Sequence, residues 1–196
     1  MKTILRFLLA LLLCINAHAA MCQVSYGVKA GLGLTKARFS NDFVEDTDFD
    51  IRFQAGGFVR APLSQKFFLQ SEVLFAQKGW KVDDGSTTLT YLNIPVLIGI
   101  QVEKFSFYGG GEVGFKLTEK PDLPTEIYEN FDICLLGGLS YMVSPQLGID
   151  LRYSHGLANL IEVHLRDPQN QDLGELRDGK NVAIQLSVFY VLNRAD

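Results

Sequence analysis

Cysteine is nearly missing from this chain. Of three cysteines among 196 residues, Cys14 and Cys22 fall near the N-terminus and Cys134 stands alone in the body. That excludes a disulfide framework and the paired CxxC spacing of a structural metal centre. Cys134 reads as a small strand residue without redox work. Histidine is equally scarce: His18, His155 and His164 offer no metal-ligand spacing. Beyond the N-terminal segment no apolar run is long enough for a membrane-spanning helix. No basic stripe is present, which argues against nucleic acid as a partner. No motif for a cofactor, a metal or a catalytic centre is found, and none of the three is expected.

What the chain has is an export signal and a rhythm. Lys2 and Arg6 precede an apolar stretch over 7–15, and Ala17, His18 and Ala19 supply an A-x-A cleavage pattern. Residues 1–22 are therefore expected to be a signal peptide, cut after Ala19 or Cys22, with a barrel domain over 23–196. A lipid on Cys22 is a weaker alternative, since Met21 fits a lipoprotein signal poorly. The signal carries two of the 18 basic residues and none of the 22 acidic ones, leaving a mature balance of −6. Hydrophobic residues make up 47% and mean hydropathy is +0.12. That is high for a chain with a small core, so something besides a core must absorb the apolar side chains.

The rhythm has a period of two. Leu147, Ile149, Leu151 and Tyr153 share one face, and Gly148, Asp150, Arg152 and Ser154 the other. Eight such segments are expected, near 24–39, 49–61, 67–81, 87–102, 105–118, 127–143, 147–154 and 181–192. Pro95 lacks an N–H and should mark a bulge or a ladder defect in the fourth. Connections at 62–66, 102–104 and 143–146 are short. Those at 40–48, 82–86, 119–126 and 156–180 are longer and richer in charge, Asp, Asn, Gly and Pro. This density of alternation, with short turns at one end and long loops at the other, is the pattern of an eight-stranded antiparallel up-and-down transmembrane β-barrel in an outer membrane.

Alternation alone does not say which face meets lipid, because a soluble lipocalin also alternates. Two features decide. The non-apolar face is rich in glycine, at Gly27, Gly31, Gly33, Gly56, Gly110, Gly114, Gly138 and Gly148, which suits a narrow lumen. Aromatics gather near strand ends, at Tyr26, Phe39, Phe67, Trp80, Phe105, Phe131, Tyr141, Tyr153 and Tyr190, as in the two girdles of a membrane barrel. The inward set then holds Lys29, Arg52, Arg60, Lys116 and Arg152 against Glu72, Glu112, Asp132 and Asp150. Eight strands leave a tube filled by side chains. Unpaired charge there would be costly, so these nine residues are expected to form a salt-bridged network that shuts the lumen. A proton or ion path is the sharper but weaker alternative.

Candidates for chemistry are few. Ser154 and His155 are neighbours in a strand and so point to opposite faces, which separates a nucleophile from its base. Glu45, Asp46, Asp48 and Asp50 form an acidic stretch without the spacing of an EF-hand loop. Residues 167–178 read as polar loop, and the length of the 156–180 connection suits a contact surface.

Four segments carry a family resemblance: YGVKAGLGLTKARFS, YLNIPVLIGI, GLSYMVSPQLGIDLRYSHGLANL and VAIQLSVFYVL. Together they resemble the PorT-like outer-membrane β-barrel family over about 23–192. The resemblance implies an eight-stranded barrel in the outer membrane and, through its namesake, a part in protein secretion. One departure is that the chain continues through Asn193, Arg194, Ala195 and Asp196 past the aromatic Tyr190, where barrels often end. The expected role is thus a non-enzymatic, monomeric barrel in outer-membrane lipid, meeting other envelope proteins through 156–180. A component of a secretion apparatus is the alternative, and a lipid-modifying barrel enzyme a distant third.

Overall fold

The computed structural model describes residues 24–38, 48–82, 85–120, 129–166 and 172–193. The expected signal peptide lies outside them. Ten strands follow in order: β1 (Ser25–Arg38), β2 (Asp50–Pro62), β3 (Phe67–Val82), β4 (Gly85–Val102), β5 (Phe105–Lys120), β6 (Phe131–Met142), β7 (Leu147–Gly156), β8 (Ile161–Arg166), β9 (Asp172–Asp178) and β10 (Lys180–Asn193). Eight of them close into one antiparallel barrel in the order β1-β10-β7-β6-β5-β4-β3-β2, while β8 and β9 form a separate two-stranded sheet. Each barrel strand except the closing pair β1–β10 and the β7–β10 pair is a chain neighbour of its partner. The closure runs from Tyr26↔Asn193 to Arg38↔Lys180.

The period of two has the physical consequence expected of it. Val28, Leu32, Leu34, Ile51, Val73, Ile98, Leu135, Ile149 and Leu186 are all exposed large apolar side chains, Leu32 at 59% and Leu186 at 57%. In water such a surface would be a severe aggregation liability; in lipid it is the required outer coat. The polar partners in the alternation are buried instead, among them Lys29, Glu72, Lys78, Arg152 and Asp150. A soluble barrel would show the reverse.

Several expectations are corrected by the structure. The connection over 156–180 is not merely a loop: it contains the β8–β9 hairpin, paired from Ile161↔Asp178 to Arg166↔Asp172. Glycine-poor runs such as Ile161–Arg166 have enough β propensity to extend once a partner is close. The expected longer connection at 82–86 is largely strand, because pairing continues through Lys81↔Ser86 to Val82↔Gly85. Threonine-rich 87–90 favours a strand, so β3 and β4 run 16 and 18 residues, well beyond the roughly 9–11 that cross a bilayer. Trp80 is not a girdle residue; it is 4% exposed and packs inside with Ala37, Leu89, Tyr91 and Leu160. Its even position on β3 puts it on the face of Glu72 and Lys78. Val182 departs from its outward set and is buried, with Lys36 and His155 as its cross-strand partners. Phe39 falls outside the described residues.

Pro95 makes a defect without a bulge. On the β3 side the pairs Ser71↔Val96 and Leu74↔Asn93 flank a gap in the ladder with register unchanged. On the β5 side Pro95 still faces Glu112. The register shift of β4 lies higher, between Thr90 and Tyr91.

Candidate functional site in the barrel lumen

The polar face of the strands builds two ionic groups stacked along the lumen. The lower lies nearer the short turns. Lys29 Nζ, from β1, reaches Glu72 Oε1 of β3 at 3.2 Å and Asp150 Oδ1 of β7 at 2.9 Å. Arg152 grips the same Glu72 with two parallel bonds, 2.9 Å to Oε2 and 2.7 Å to Oε1, the strongest geometry open to this pair. Tyr108 donates to Asp150 Oδ2 at 2.6 Å and accepts from Arg152 Nε at 3.2 Å. Gln70 donates to Glu72 at 2.6 Å and accepts from Arg60 at 2.7 Å. The Arg60 guanidinium also lies 4.1 Å from the centre of the Phe68 ring. Three cations thus face two carboxylates.

The upper group is organised by Lys78. Its ammonium lies 3.0 Å from Glu112 Oε1 and 2.9 Å from Asp132 Oδ2. Asn93 donates to Glu112 at 2.8 Å, and Asn181 to Asp132 at 2.7 Å. The Cys134 thiol donates to Asp132 at 3.4 Å, a structural place rather than a reactive one. Here one cation faces two carboxylates. The excess positive charge below and the excess negative charge above therefore cancel along the lumen.

At the long-connection mouth a third, more exposed set gathers. Arg52 pairs with Asp50, and its guanidinium also donates to Ser86 at 2.8 Å and to the Thr87 carbonyl at 3.1 Å. Lys81 lies 3.5 Å from Asp50. Lys116 pairs with Glu119, three residues on, at 2.8 Å.

Apolar clusters close both ends. Ala37, Trp80, Leu89, Tyr91 and Leu160 fill the outer side, and Phe58, Phe189 and Val191, with Met142 against them, the other. Glycines make room for rings inside the barrel. Phe189 and Tyr108 lie over Gly148 and Gly138 of the adjacent strands, where any Cβ would strike the ring. A pocket of about 70 Å³, lined by Ser25, Phe58, Arg60 and Gln101 among others, opens beside the end cluster of Phe189.

Of the nine charged residues expected inward, six fall into the two groups with direct ion pairs: Lys29, Glu72, Asp150 and Arg152 below, Glu112 and Asp132 above. Arg60 joins through Gln70, whereas Arg52 and Lys116 belong to the mouth. The organising cation of the upper group, Lys78, is not among those nine, although the period of two puts it on the polar face of the third segment with Glu72. Its place at the centre has no local signal, because nothing along the chain distinguishes it from Lys116. The neutral partners Asn93, Tyr108 and Asn181 carried no signal of their own.

Other candidates separate. Ser154 is buried in the lumen at 2% exposure. His155 points outward, with Nδ1 3.4 Å from the Tyr153 hydroxyl. The two do not form a nucleophile–base pair. In the acidic stretch Asp50 turns into the mouth, and Asp48 joins Lys81 by backbone bonds; Glu45 and Asp46 lie outside the described residues. Of 167–178, residues 172–178 form β9. Among the described residues no group of three or more His, Cys, Asp or Glu side chains is placed to hold a metal.

The model of a family described as outer membrane protein beta-barrel domain matches residues 19–162. The chain belongs to that family. Its place is the cell outer membrane, where the exposed apolar coat meets lipid. Solved structures agree on the fold. The attachment invasion locus protein Ail of Yersinia pestis is 12% identical, with 87% of this chain and 99% of that one covered and a TM-score of 0.50. Neisserial surface protein A is 13% identical, with 85% and 97% covered and a TM-score of 0.52. At such identities the likeness is one of fold. No curated protein matches the sequence.

Proposed function

We propose that this family member is a closed, non-enzymatic barrel whose lumen is structural and whose work is done by the strands and connections beyond the membrane. The observation that carries the reading is the interlocked lumen. Among the described residues two ionic groups and three buried apolar clusters occupy its length, and each buried cation is held by at least one carboxylate or amide partner. An aqueous path would have to break several charge-assisted bonds at once. Purified protein in planar bilayers is therefore expected to give no steady conductance. Salt-dependent channels of constant size would overturn the closed-lumen reading.

A second reading, a component of a protein-secretion apparatus, draws on the β8–β9 hairpin. Among the described residues these strands pair only with each other, so the sheet they form keeps two open edges. Open edges can accept a strand from a partner. Deleting 161–178 and, separately, the whole gene distinguishes the readings. Loss of secreted surface proteins in both strains favours the secretion role, and intact secretion in both removes it.

A further inference from the structure

The rim of the barrel at the long-connection end carries a basic set that the lumen does not use. Lys36, Arg38 and Lys180 lie on the even, outward positions of β1 and β10, in line with Leu32, Leu34 and Ile184. Arg38 and Lys180 are direct cross-strand partners, and Lys36 sits one outward position below Arg38, opposite Val182. His155 of β7 continues the row on the other side of Val182. Just beneath runs the lipid-facing row of Leu34, Ile184 and Tyr153, exposed at 45%, 44% and 47%. The basic set therefore sits where the hydrocarbon band gives way to headgroups.

Two further observations make it a binding surface rather than scattered charge. Like charges directly opposite in an antiparallel pair are destabilising, yet Arg38 and Lys180 face each other in just this way. None of the ion pairs among the described residues uses Lys36, Arg38 or Lys180. Lys36 instead lies over the Phe49 ring, 4.9 Å from its centre, which holds its stem against the barrel wall and its ammonium at the interface. Pairing on the β2 side begins only at Thr35↔Asp50 and on the β7 side only at Val182↔His155. Among the described residues Arg38 and Lys180 thus stand beyond the paired part of β2 and β7, both exposed, with Lys36 level with His155.

We propose that Lys36, Arg38 and Lys180 form a site for a phosphate group carried by a lipid of the outer leaflet, with His155 at its edge. A phosphate between Arg38 and Lys180 would turn the repulsive pair into charge-assisted bonds. The acyl chains of the same lipid would lie on Leu34, Ile184 and Tyr153. This goes beyond the closed-lumen reading and is independent of it.

The test uses the refolded full chain in neutral detergent, titrated with bisphosphorylated lipid A and with enzymatically dephosphorylated lipid A, read by native mass spectrometry. The phosphorylated form is expected to bind about tenfold more tightly or better, the scale of one or two charge-assisted bonds. Lys36→Gln/Arg38→Gln/Lys180→Gln is expected to lose that preference while keeping the heat-modifiable migration of a folded barrel. Lys66→Gln/Lys104→Gln, at the opposite end, is expected to keep both. Should the triple variant not fold, Arg38→Gln alone is expected to reduce the preference at least threefold. Equal binding of the two lipids, or an unchanged preference in the rim variants, overturns the proposal. Inorganic phosphate separates the sources: if it displaces lipid A at equal phosphate concentration, the site takes a free anion and the lipid assignment is wrong.

Discussion

The lower ionic group of the lumen is redundant, and the upper hangs on one lysine. Below, Glu72 is held by Arg152, Lys29 and Gln70 together, and Asp150 by Lys29 and Tyr108. Above, Glu112 and Asp132 share Lys78 as their single ion-pair partner among the described residues. The upper group also leaves two buried acceptors unpartnered, Asn93 Oδ1 and Asp132 Oδ1, whereas none is left among the residues of the lower. The lower group behaves as a clamp across β1, β3 and β7. The upper behaves as a keystone that ties β3 to β5 and β6. Similar burial therefore hides different tolerance to loss, because what matters is how many partners remain after one is removed.

The largest effect is expected from Lys78→Met. It strands two buried carboxylates together, and urea unfolding of the refolded protein should show a loss of roughly 3–5 kcal/mol. Adding Glu112→Gln and Asp132→Asn to that variant should recover most of the loss, since neutral amides remove the uncompensated charge. Failure to recover would mean that Lys78 matters through packing instead. Arg152→Met comes next, at roughly 2–3 kcal/mol, because Lys29 and Gln70 still hold Glu72. A cost equal to or above that of Lys78→Met would erase the contrast between clamp and keystone. Tyr108→Phe removes one hydroxyl that both donates and accepts, and about 1–2 kcal/mol is expected from chemical unfolding. The smallest effect is expected of Cys134→Ser, under about 1 kcal/mol, with a barrel whose folding is unchanged by thiol reagents.

The two faces of the barrel were not equally legible. The outward face could be read strand by strand: Leu147, Ile149, Leu151 and Tyr153 need no partner to declare themselves, because lipid acts on each side chain separately. Errors there came at the margins. Trp80 was placed in the girdle by residue type, though its position in the alternation put it on the face of Lys78. Val182 is buried near the start of β10 although the alternation points it outward. Connection lengths misled twice, at 82–86 and 156–180, because turn-forming residues mark where a chain can reverse and not where pairing stops. Inward, the charge set over Lys29, Glu72, Asp150 and Arg152 followed from the same alternation, but the roles did not. Lys116 and Lys78 look alike in sequence. One pairs with its near neighbour Glu119, and the other holds the centre of the upper group.

The outer-membrane β-barrel, its lipid-facing coat and the charged character of its lumen are written in the order of residues along the chain. These follow from local rules: a period of two, small residues where space is short, and a bilayer that sorts each strand position by polarity. Which charge meets which is set instead by the closed barrel. Lys29 and Asp150 lie 121 positions apart, and Arg152 and Glu72 lie 80 apart. Barrel closure through β1 and β10 brings such pairs within 3 Å, and register, strand tilt and the neutral side chains between them choose the partners. The same closure sets Arg38 opposite Lys180 on the rim, a juxtaposition that no reading along the chain could supply.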